Sequence, residues 1–231
     1  AISQSSEPQE SWYQLLVGIY LEGDRLKPAA DLLQKMLGLF PRNKAYWQQY
    51  AAVLMQLGRY REATAVLALA AEKAVLKQPG LIRLARLYLH QDMPLNAAEL
   101  LAREMAAGRI DKDKNNLGLL ADAWLLAREH DKALVVLDQL SAIDKSGEAD
   151  LRAGSLLMEQ EQWLAAARKL QQGLERQANP AVTDWMRLGA VYVRLNDVEK
   201  ARAAFKKVLA KAKLSRDRQQ AERWLAYLSE Q

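Results

Sequence analysis

Few side chains in this sequence have the types and spacing that chemistry requires. His90 and His130 are the only histidines, and each falls at the turn between two predicted helices, where a solvated polar residue is common. The sequence contains no cysteine, so it can form neither a disulfide framework nor a thiolate metal site. It also lacks a glycine-rich phosphate loop, a nucleophile elbow and an HExxH motif. We therefore expect a protein that is not an enzyme and that has no catalytic residues and no cofactor.

A faint metal-binding pattern occurs near the middle of the chain. Asp111, Asp113, Asn115 and Asp122 have the approximate spacing of a calcium loop. Such a loop needs a glycine at its turn, where this sequence has Asn116, and a bidentate glutamate at its end, where it has an aspartate. The simpler interpretation is that Asp113 caps the N-terminus of a helix, so we expect no metal site.

The clearest pattern in the sequence lies in residues 182–213, where it reads W-x2-L-G-x2-Y and then A-x3-F. The residues concerned are Trp185, Leu188, Gly189, Tyr192, Ala201 and Phe205. This is the consensus of the tetratricopeptide repeat (TPR). Apolar residues three, four and seven apart share one face of a helix, so the pattern predicts two amphipathic helices. Gly189 would leave room for the second helix to approach closely, and the pair needs neighbours to bury its apolar faces.

Five further copies of the pattern precede this one. The predicted repeats start near residues 10, 44, 78, 114, 147 and 182. Pro94 falls where a second helix should begin, which suits proline at a first helical position. The sequence therefore predicts an all-α fold, a TPR superhelical solenoid of six helix pairs plus a C-terminal capping helix, about 13 helices in total. The predicted divisions are a disordered or partial upstream segment (1–9), six repeats (10–215) and a C-terminal solvating helix (216–231).

The two ends of the predicted solenoid differ. The C-terminal helix has Ser215 as its expected N-cap. The residues expected to cover the last helix pair are Trp224, Leu225, Tyr227 and Leu228. No helix precedes the first pair as an obvious cap. This suggests that the intact protein continues N-terminally or that this end is covered in an oligomer.

The inner wall of such a solenoid is the best candidate for a binding site. Positions 2, 5, 6, 9 and 12 of each repeat are expected to face the groove. The candidate peptide-binding residues at these positions are Gln14, Gln48, Gln49, Met55, Arg83, Arg86, Asn115, Asp122, Arg152, Met158, Met186 and Arg187. Arg83, Arg152 and Arg187 share position six and could form an interrupted basic ladder, which would suit carboxylates and peptide carbonyls. The alternative is that these side chains are simply solvated and that the contact surface lies elsewhere.

The net charge of +5 comes from the C-terminal end of the chain. Residues 199–223 hold nine basic and three acidic side chains, so the rest of the chain is almost neutral. A concentrated basic face would suit nucleic acid or an anionic membrane surface. These lysines follow a helical period around apolar residues, however, so a solvated face is the simpler interpretation and nucleic acid is disfavoured. No apolar run approaches the roughly 18 residues of a transmembrane helix.

Several segments share more than the TPR consensus with one bacterial family. They are ESWYQLLVGIY (10–20), LARLY (84–88) with MPLNAAELL (93–101), NLGLLADAWLLAREHDK (116–132) and RWLAYL (223–228). These segments resemble the periplasmic TPR proteins encoded beside the TonB–ExbB–ExbD genes of gammaproteobacteria. The resemblance implies a periplasmic helper that binds the TonB complex and supports TonB-dependent uptake, for example of ferric siderophores.

The sequence and the resemblance together favour a non-enzymatic protein–protein interaction scaffold. Its expected partner is a component of the TonB complex or another envelope protein, and its expected location is the periplasm. The absence of cysteine suits the cytoplasm equally well. The alternative function is a TPR scaffold that docks through its basic C-terminal end on nucleic acid or an anionic membrane surface.

Overall fold

The computed structural model describes residues 9–230, which form thirteen α-helices and no strand. The six pairs are α1 (Glu10–Glu22) and α2 (Leu26–Leu39), α3 (Lys44–Gln56) and α4 (Tyr60–Glu72), α5 (Gln78–His90) and α6 (Pro94–Ala106), α7 (Lys114–Leu126) and α8 (His130–Ile143), α9 (Glu148–Glu159) and α10 (Trp163–Arg176), and α11 (Val182–Arg194) and α12 (Val198–Lys211), followed by α13 (Ser215–Ser229). The predicted all-α fold of six pairs and a final helix is confirmed. The predicted upstream segment, apart from Gln9, lies outside the described residues.

The predicted register of the repeats agrees closely with the helix boundaries. The first helix of each pair begins at the predicted start of its repeat, except α9, which begins one residue later. The second helix of every pair begins sixteen residues after that start. Pro94 is the first residue of α6, as predicted, because a proline there costs no intrahelical hydrogen bond.

All six turns within the helix pairs have the same backbone geometry. The residue two positions before each second helix has a positive φ of 53–73°. These residues are Asp24, Gly58, Asp92, Arg128, Glu161 and Asn196. The next backbone N–H donates to the carbonyl oxygen five residues earlier, for example from Asp197 to Tyr192 over 2.9 Å. This is the Schellman arrangement, which satisfies the last carbonyls of the first helix and turns the chain toward the second.

The helices form two compact units, one extending to Asp111 and the other beginning at Lys112. The first unit contains the three pairs α1–α6, and the second contains the three pairs α7–α12 with α13. The boundary therefore coincides with a predicted repeat boundary. That the six pairs continue as one superhelix stays a prediction.

The first unit leaves one apolar helix face uncovered. Trp12 and Ile19 of α1 are 37% and 52% exposed. The corresponding positions of the next repeat hold Tyr46 and Val53, which are buried, because α2 packs against α3. Among the described residues, this face of α1 is therefore more exposed than the same face of α3.

The C-terminal helix packs on the last pair, with two corrections to the prediction. The ring of Trp224 stacks parallel to that of Phe205, with centroids 5.7 Å apart, and Leu228 is buried. Tyr227, in contrast, is 48% exposed and covers little of the pair. The prediction of Ser215 as N-cap is wrong, because the helix begins at Ser215 and extended Leu214 occupies the cap position without a side-chain hydrogen bond.

The close approach predicted for the last helix pair is confirmed by the surroundings of Gly189. A Cβ built on Gly189 would lie 2.6 Å from Cε1 of Phe205, far inside van der Waals contact. The Phe205 ring has little freedom to move, because it is fully buried and Trp224 stacks on it. A glycine is needed here because α11 and α12 touch at this point.

This packing predicts opposite effects for two alanine substitutions in helical glycines of the second unit. Gly189→Ala should lower the free energy of unfolding by about 1–3 kcal/mol, because the added methyl group overpacks a rigid contact. Gly118→Ala in α7 should raise it by up to about 1 kcal/mol, because alanine favours helix and no atom lies within 4 Å of the added Cβ. Urea-induced unfolding followed by circular dichroism measures both. A Gly189→Ala protein as stable as the unmodified chain would contradict the close contact.

Candidate functional site

The first helices of the second unit line an open cleft of about 450 Å³. Its residues come from α7, α9 and α11 and from the loop after α10. They are Leu125, Glu148, Leu151, Arg152, Ser155, Leu156, Glu159, Gln177, Asp184 and Arg187. Leucine side chains provide its apolar part, and two arginines and three carboxylates provide its charges. A cleft of this size and composition can hold a few residues of an extended polypeptide.

Helix α9 supplies most of the cleft, and it is fixed in place from its opposite face. Asp150 occupies the position of the fifth repeat at which Trp47 and Trp185 stand in the second and sixth repeats. An acidic residue there is fully buried. A buried carboxylate is costly unless hydrogen bonds and opposite charges compensate for its lost hydration.

The compensation for Asp150 comes from the two helices that flank α9. The carboxylate accepts hydrogen bonds from the Ser141 hydroxyl of α8 at 2.8 Å and from Nη1 of Arg176 of α10 at 2.6 Å. Lys169 lies 3.5 Å from the same carboxylate. Arg176 also donates to the Ser141 hydroxyl at 2.6 Å. This network joins α8, α9 and α10 and holds the cleft-lining face of α9 in a defined orientation.

The two arginines of the cleft already have carboxylate partners. Arg152 forms an ion pair with Asp122, which comes from the preceding first helix, α7. Arg187 is paired with Asp184 one turn earlier on α11, at 2.9 Å. Arg152 and Arg187, both predicted to face the groove, thus line one cleft. The hypothesis of a basic ladder stays a prediction, and its third member, Arg83, belongs to the first unit.

Glu148 and Glu159 are the unpaired charges of the cleft. They are the first and last residues of α9, and both are exposed. Neither carboxylate has a hydrogen-bond or ion-pair partner among residues 9–230. The cleft therefore carries excess negative charge at both ends of α9, although its arginines suggested the opposite.

The candidate residues in the first unit have different environments. Gln14 of α1 donates a hydrogen bond to the Tyr46 hydroxyl of α3 at 2.6 Å, so it links two first helices. Gln48 of α3 lies close to the first turn of α5. Its Nε2 atom would be 3.2 Å from a Cβ built on Gly80, the third residue of that helix. Gln49 is exposed and Met55 is half-buried. These side chains lie on the first helices α1 and α3, and none lines the cleft described above. That they face a binding groove stays a prediction.

Arg83 and Arg86 of α5 are exposed, and neither has an ion-pair partner in the described part of the chain. In this they differ from Arg152 and Arg187, the two arginines of the cleft in the second unit. The remaining candidates make no contribution to the cleft lining. Met158 and Met186 pack partly buried against the apolar core of the second unit, and Asn115 lies exposed in the first turn of α7.

The aspartate and the two histidines considered for metal binding or catalysis lie at helix ends. The Asp113 carboxylate accepts a hydrogen bond from the Asn116 backbone N–H at 2.8 Å, so its predicted role as the N-cap of α7 is confirmed. His90 is the last residue of α5, with its ring 5.0 Å from that of Tyr60. His130 is the first residue of α8. Both histidines therefore lie at turns between paired helices, as predicted.

Several cations of the basic C-terminal segment are engaged within the fold. Arg202 donates to the Leu228 carbonyl at 2.6 Å and so joins α12 to α13. Lys200 is paired with Asp197 at 2.6 Å, and this carboxylate raises the pKa of Lys200. Other cations, such as Lys206 and Lys207, are exposed without ion-pair partners in the described part of the chain. A solvated face with some structural ion pairs accounts for the segment.

Sequence reasoning missed part of the cleft. Glu148, Leu151, Ser155 and Leu125 occupy the predicted groove-facing positions of their repeats but did not stand out among them. Glu159 follows the last of these positions directly. The repeat register already assigned most of these residues to groove-facing positions. They were passed over because arginine was considered a better indicator of a binding site than acidic or apolar residues.

Comparisons with known proteins agree with this fold. Residues 13–76 match one tetratricopeptide-repeat family model, and residues 185–210 match another. YrrB, described as a TPR protein with an unusual peptide-binding site, has a TM-score of 0.61 at 16% identity, over 84% of this chain and 100% of its own. The C-terminal part of a TPR repeat-containing protein from Cytophaga hutchinsonii has a TM-score of 0.61 at 11% identity, over 94% and 88%.

PilW, a type IV pilus biogenesis factor, has a TM-score of 0.54 at 14% identity and covers 91% of this chain and 96% of its own. No curated protein sequence matches the chain significantly. At these identities, the structural likeness shows the fold alone. Residues 13–76 and 185–210 are thus similar to tetratricopeptide repeats, and the described residues have the fold of proteins built from such repeats. A tetratricopeptide-repeat fold is typically a non-enzymatic scaffold that binds protein partners. Among residues 9–230, no helix has both the length and the hydropathy of a membrane span.

The Asp150 network predicts unequal costs for removing its two charges. Arg176→Met should lower the free energy of unfolding by about 3 kcal/mol, because it deprives a fully buried carboxylate of its closest cation. Asp150→Asn should cost only about 1 kcal/mol, because Arg176 and Lys169 are about a quarter exposed and can turn toward water. Urea unfolding measures both, with Arg168→Met on the exposed face of α10 as control. Equal losses for the two substitutions would contradict this assignment.

The hydrogen bond that links α1 to α3 predicts a pH effect. Tyr46 and Asn43 donate to the Glu10 carboxylate at 2.5 and 2.8 Å, which lowers the pKa of Glu10 below its ordinary value of 4.5. A lowered pKa means that this interaction stabilises the fold above pH 4.5 and is lost as the pH falls through the folded-state value. Tyr46→Phe should raise the pKa of Glu10 in an NMR titration, and Tyr20→Phe should leave it unchanged. An unchanged Glu10 titration in Tyr46→Phe would show that the hydroxyl contributes nothing.

Proposed function

We propose that this chain is a non-enzymatic scaffold that holds an extended segment of a protein partner in the cleft of its second unit. The observation that carries the proposal is the cleft itself, where leucine side chains lie among charged groups on three first helices. Apolar contact supplies affinity for such a segment, and the surrounding polar groups fix its register. YrrB, which shares the fold, is described as having a peptide-binding site, and this use of a TPR fold supports the proposal.

We further propose that the partner belongs to the TonB energy-transducing complex and that the protein acts in the periplasm. The support is the resemblance of residues 10–20, 84–88 with 93–101, 116–132 and 223–228 to TPR proteins encoded beside TonB–ExbB–ExbD. In this role the chain would assist TonB-dependent uptake by holding one component of the complex. No nucleophile, acid–base pair or metal takes part in this function.

The test is direct binding of the purified chain to purified periplasmic domains of the TonB-complex components, measured by isothermal titration calorimetry. Ser155→Trp places a large side chain in the cleft and should weaken binding at least about tenfold. Gln139→Trp adds the same side chain to the exposed face of α8 and should leave the affinity unchanged. Circular dichroism confirms that both variants keep the helical fold.

Two other results would redirect or end the proposal. Loss of binding in Lys206→Glu/Lys207→Glu, with Ser155→Trp unaffected, would move the binding site to the basic C-terminal segment. Absence of binding to every periplasmic component would reject the TonB assignment. The cleft would then still be open to a different partner, which the experiment of the next subsection addresses separately.

A further inference from the structure

The charges of the cleft in the second unit specify the kind of segment that it accepts, an inference that rests on the proposed function. The arginines are not free to bind an acidic ligand. Arg152 is held by Asp122 across two helices, and Arg187 is held by Asp184 on its own helix. A ligand carboxylate that approached either arginine would also meet the carboxylate of Asp122 or Asp184, so it gains less than it would from an unpaired arginine.

The unpaired charges lie at the two ends of α9. Glu148 and Glu159 are its first and last residues, and both line the cleft. They are eleven residues apart, which at a rise of about 1.5 Å per residue separates their Cα atoms by about 16 Å. Between them the cleft is lined by the small, partly exposed side chain of Ser155 and by the edges of Leu151 and Leu156, which are 7% and 4% exposed. Partly exposed Leu125 of α7 adds to the apolar lining.

We propose that the cleft binds an extended, basic segment of the partner that lies along α9. An extended chain advances by about 3.3 Å per residue, and its side chains alternate between two faces. Two basic side chains four residues apart therefore point the same way at a spacing of about 13 Å, and their length lets them reach Glu148 and Glu159 together. An apolar side chain midway between them shares their face and would lie on the apolar part of the cleft. The apolar contact contributes to the affinity, and the two glutamates select against acidic segments.

The selection has a physical reason in addition to simple attraction. Exposed ion pairs contribute little to affinity individually. Placing a ligand carboxylate near Glu148 or Glu159 is repulsive, however, and no unpaired cation of the cleft compensates for it. The cleft therefore discriminates by excluding acidic segments at least as much as by attracting basic ones.

The test uses three synthetic peptides that differ only at two positions four residues apart, so that both side chains share one face of the extended chain: GSKTLVKSGS, GSQTLVQSGS and GSETLVESGS. Fluorescence anisotropy with the full chain should show the tightest binding for the lysine peptide. The glutamine peptide should bind about tenfold more weakly, and the glutamate peptide more weakly still. Glu148→Lys/Glu159→Lys should reverse this order, so that the glutamate peptide binds best. Glu222→Lys in α13 combined with Glu230→Lys at its C-cap makes the same change of net charge away from the cleft and should keep the original order.

The reversal of preference is a readout that loss of folding cannot imitate. Equal affinities of the three peptides, no reversal in the Glu148→Lys/Glu159→Lys protein, or absence of binding by all three would overturn the inference. If the inference is overturned but Ser155→Trp still abolishes binding to a TonB-complex component, the proposed function stands with a different ligand chemistry. If the peptides behave as expected while no TonB-complex component binds, the partner assignment fails and the cleft chemistry stands.

Discussion

Every pair of helices in this protein has an apolar face that it cannot bury alone, and the rest of the structure follows from that constraint. The two helices of a pair must approach closely, which is why Gly189 stands opposite the Phe205 ring with no space for a Cβ. The turn between them must reverse the chain in a few residues. In all six turns the residue at the same position has a left-handed backbone conformation. Neighbouring pairs must then cover what remains, as α13 covers α12 through Trp224. Stability thus resides in contacts between neighbours in sequence.

Because these contacts stabilise the fold, the groove-facing positions of the first helices do not have to pack against neighbouring helices. Residues at the signature positions are buried, whereas Glu148, Arg152 and Ser155 on the other face of α9 face open space. Such positions can vary in charge without cost to the core. The exception is Asp150, a carboxylate at a signature position, which Ser141 and Arg176 compensate. Because that network fixes α9 between its neighbours, the charges at the two ends of the helix are held at a constant separation.

The sequence was sufficient to predict the repeats, and physical reasons explain where it was not. Repeat starts are encoded by local spacing, so the helix boundaries followed within one residue. The site depends on pairing between repeats, which local patterns do not show. Asp122 and Arg152 are thirty residues apart, and only the stacking of α7 beside α9 brings them together. The repeat register indicated that Arg152 and Arg187 lie on the groove-facing side of their helices. It did not show that Asp122 and Asp184 form ion pairs with them. The N-cap at Ser215 was wrong because Leu214 already ends the preceding loop.

The charge that matters for recognition is therefore what remains after neighbouring helices have paired their side chains. In the second unit, pairing removes the two arginines and leaves Glu148 and Glu159. In the first unit, Arg83 and Arg86 remain unpaired, because no carboxylate among the described residues lies within ion-pair distance of them. A protein with a net charge of +5 can thus have an acidic cleft in its second unit and unpaired arginines on α5 of its first unit. Net charge and residue counts describe the whole chain, whereas a bound segment meets only these unpaired groups.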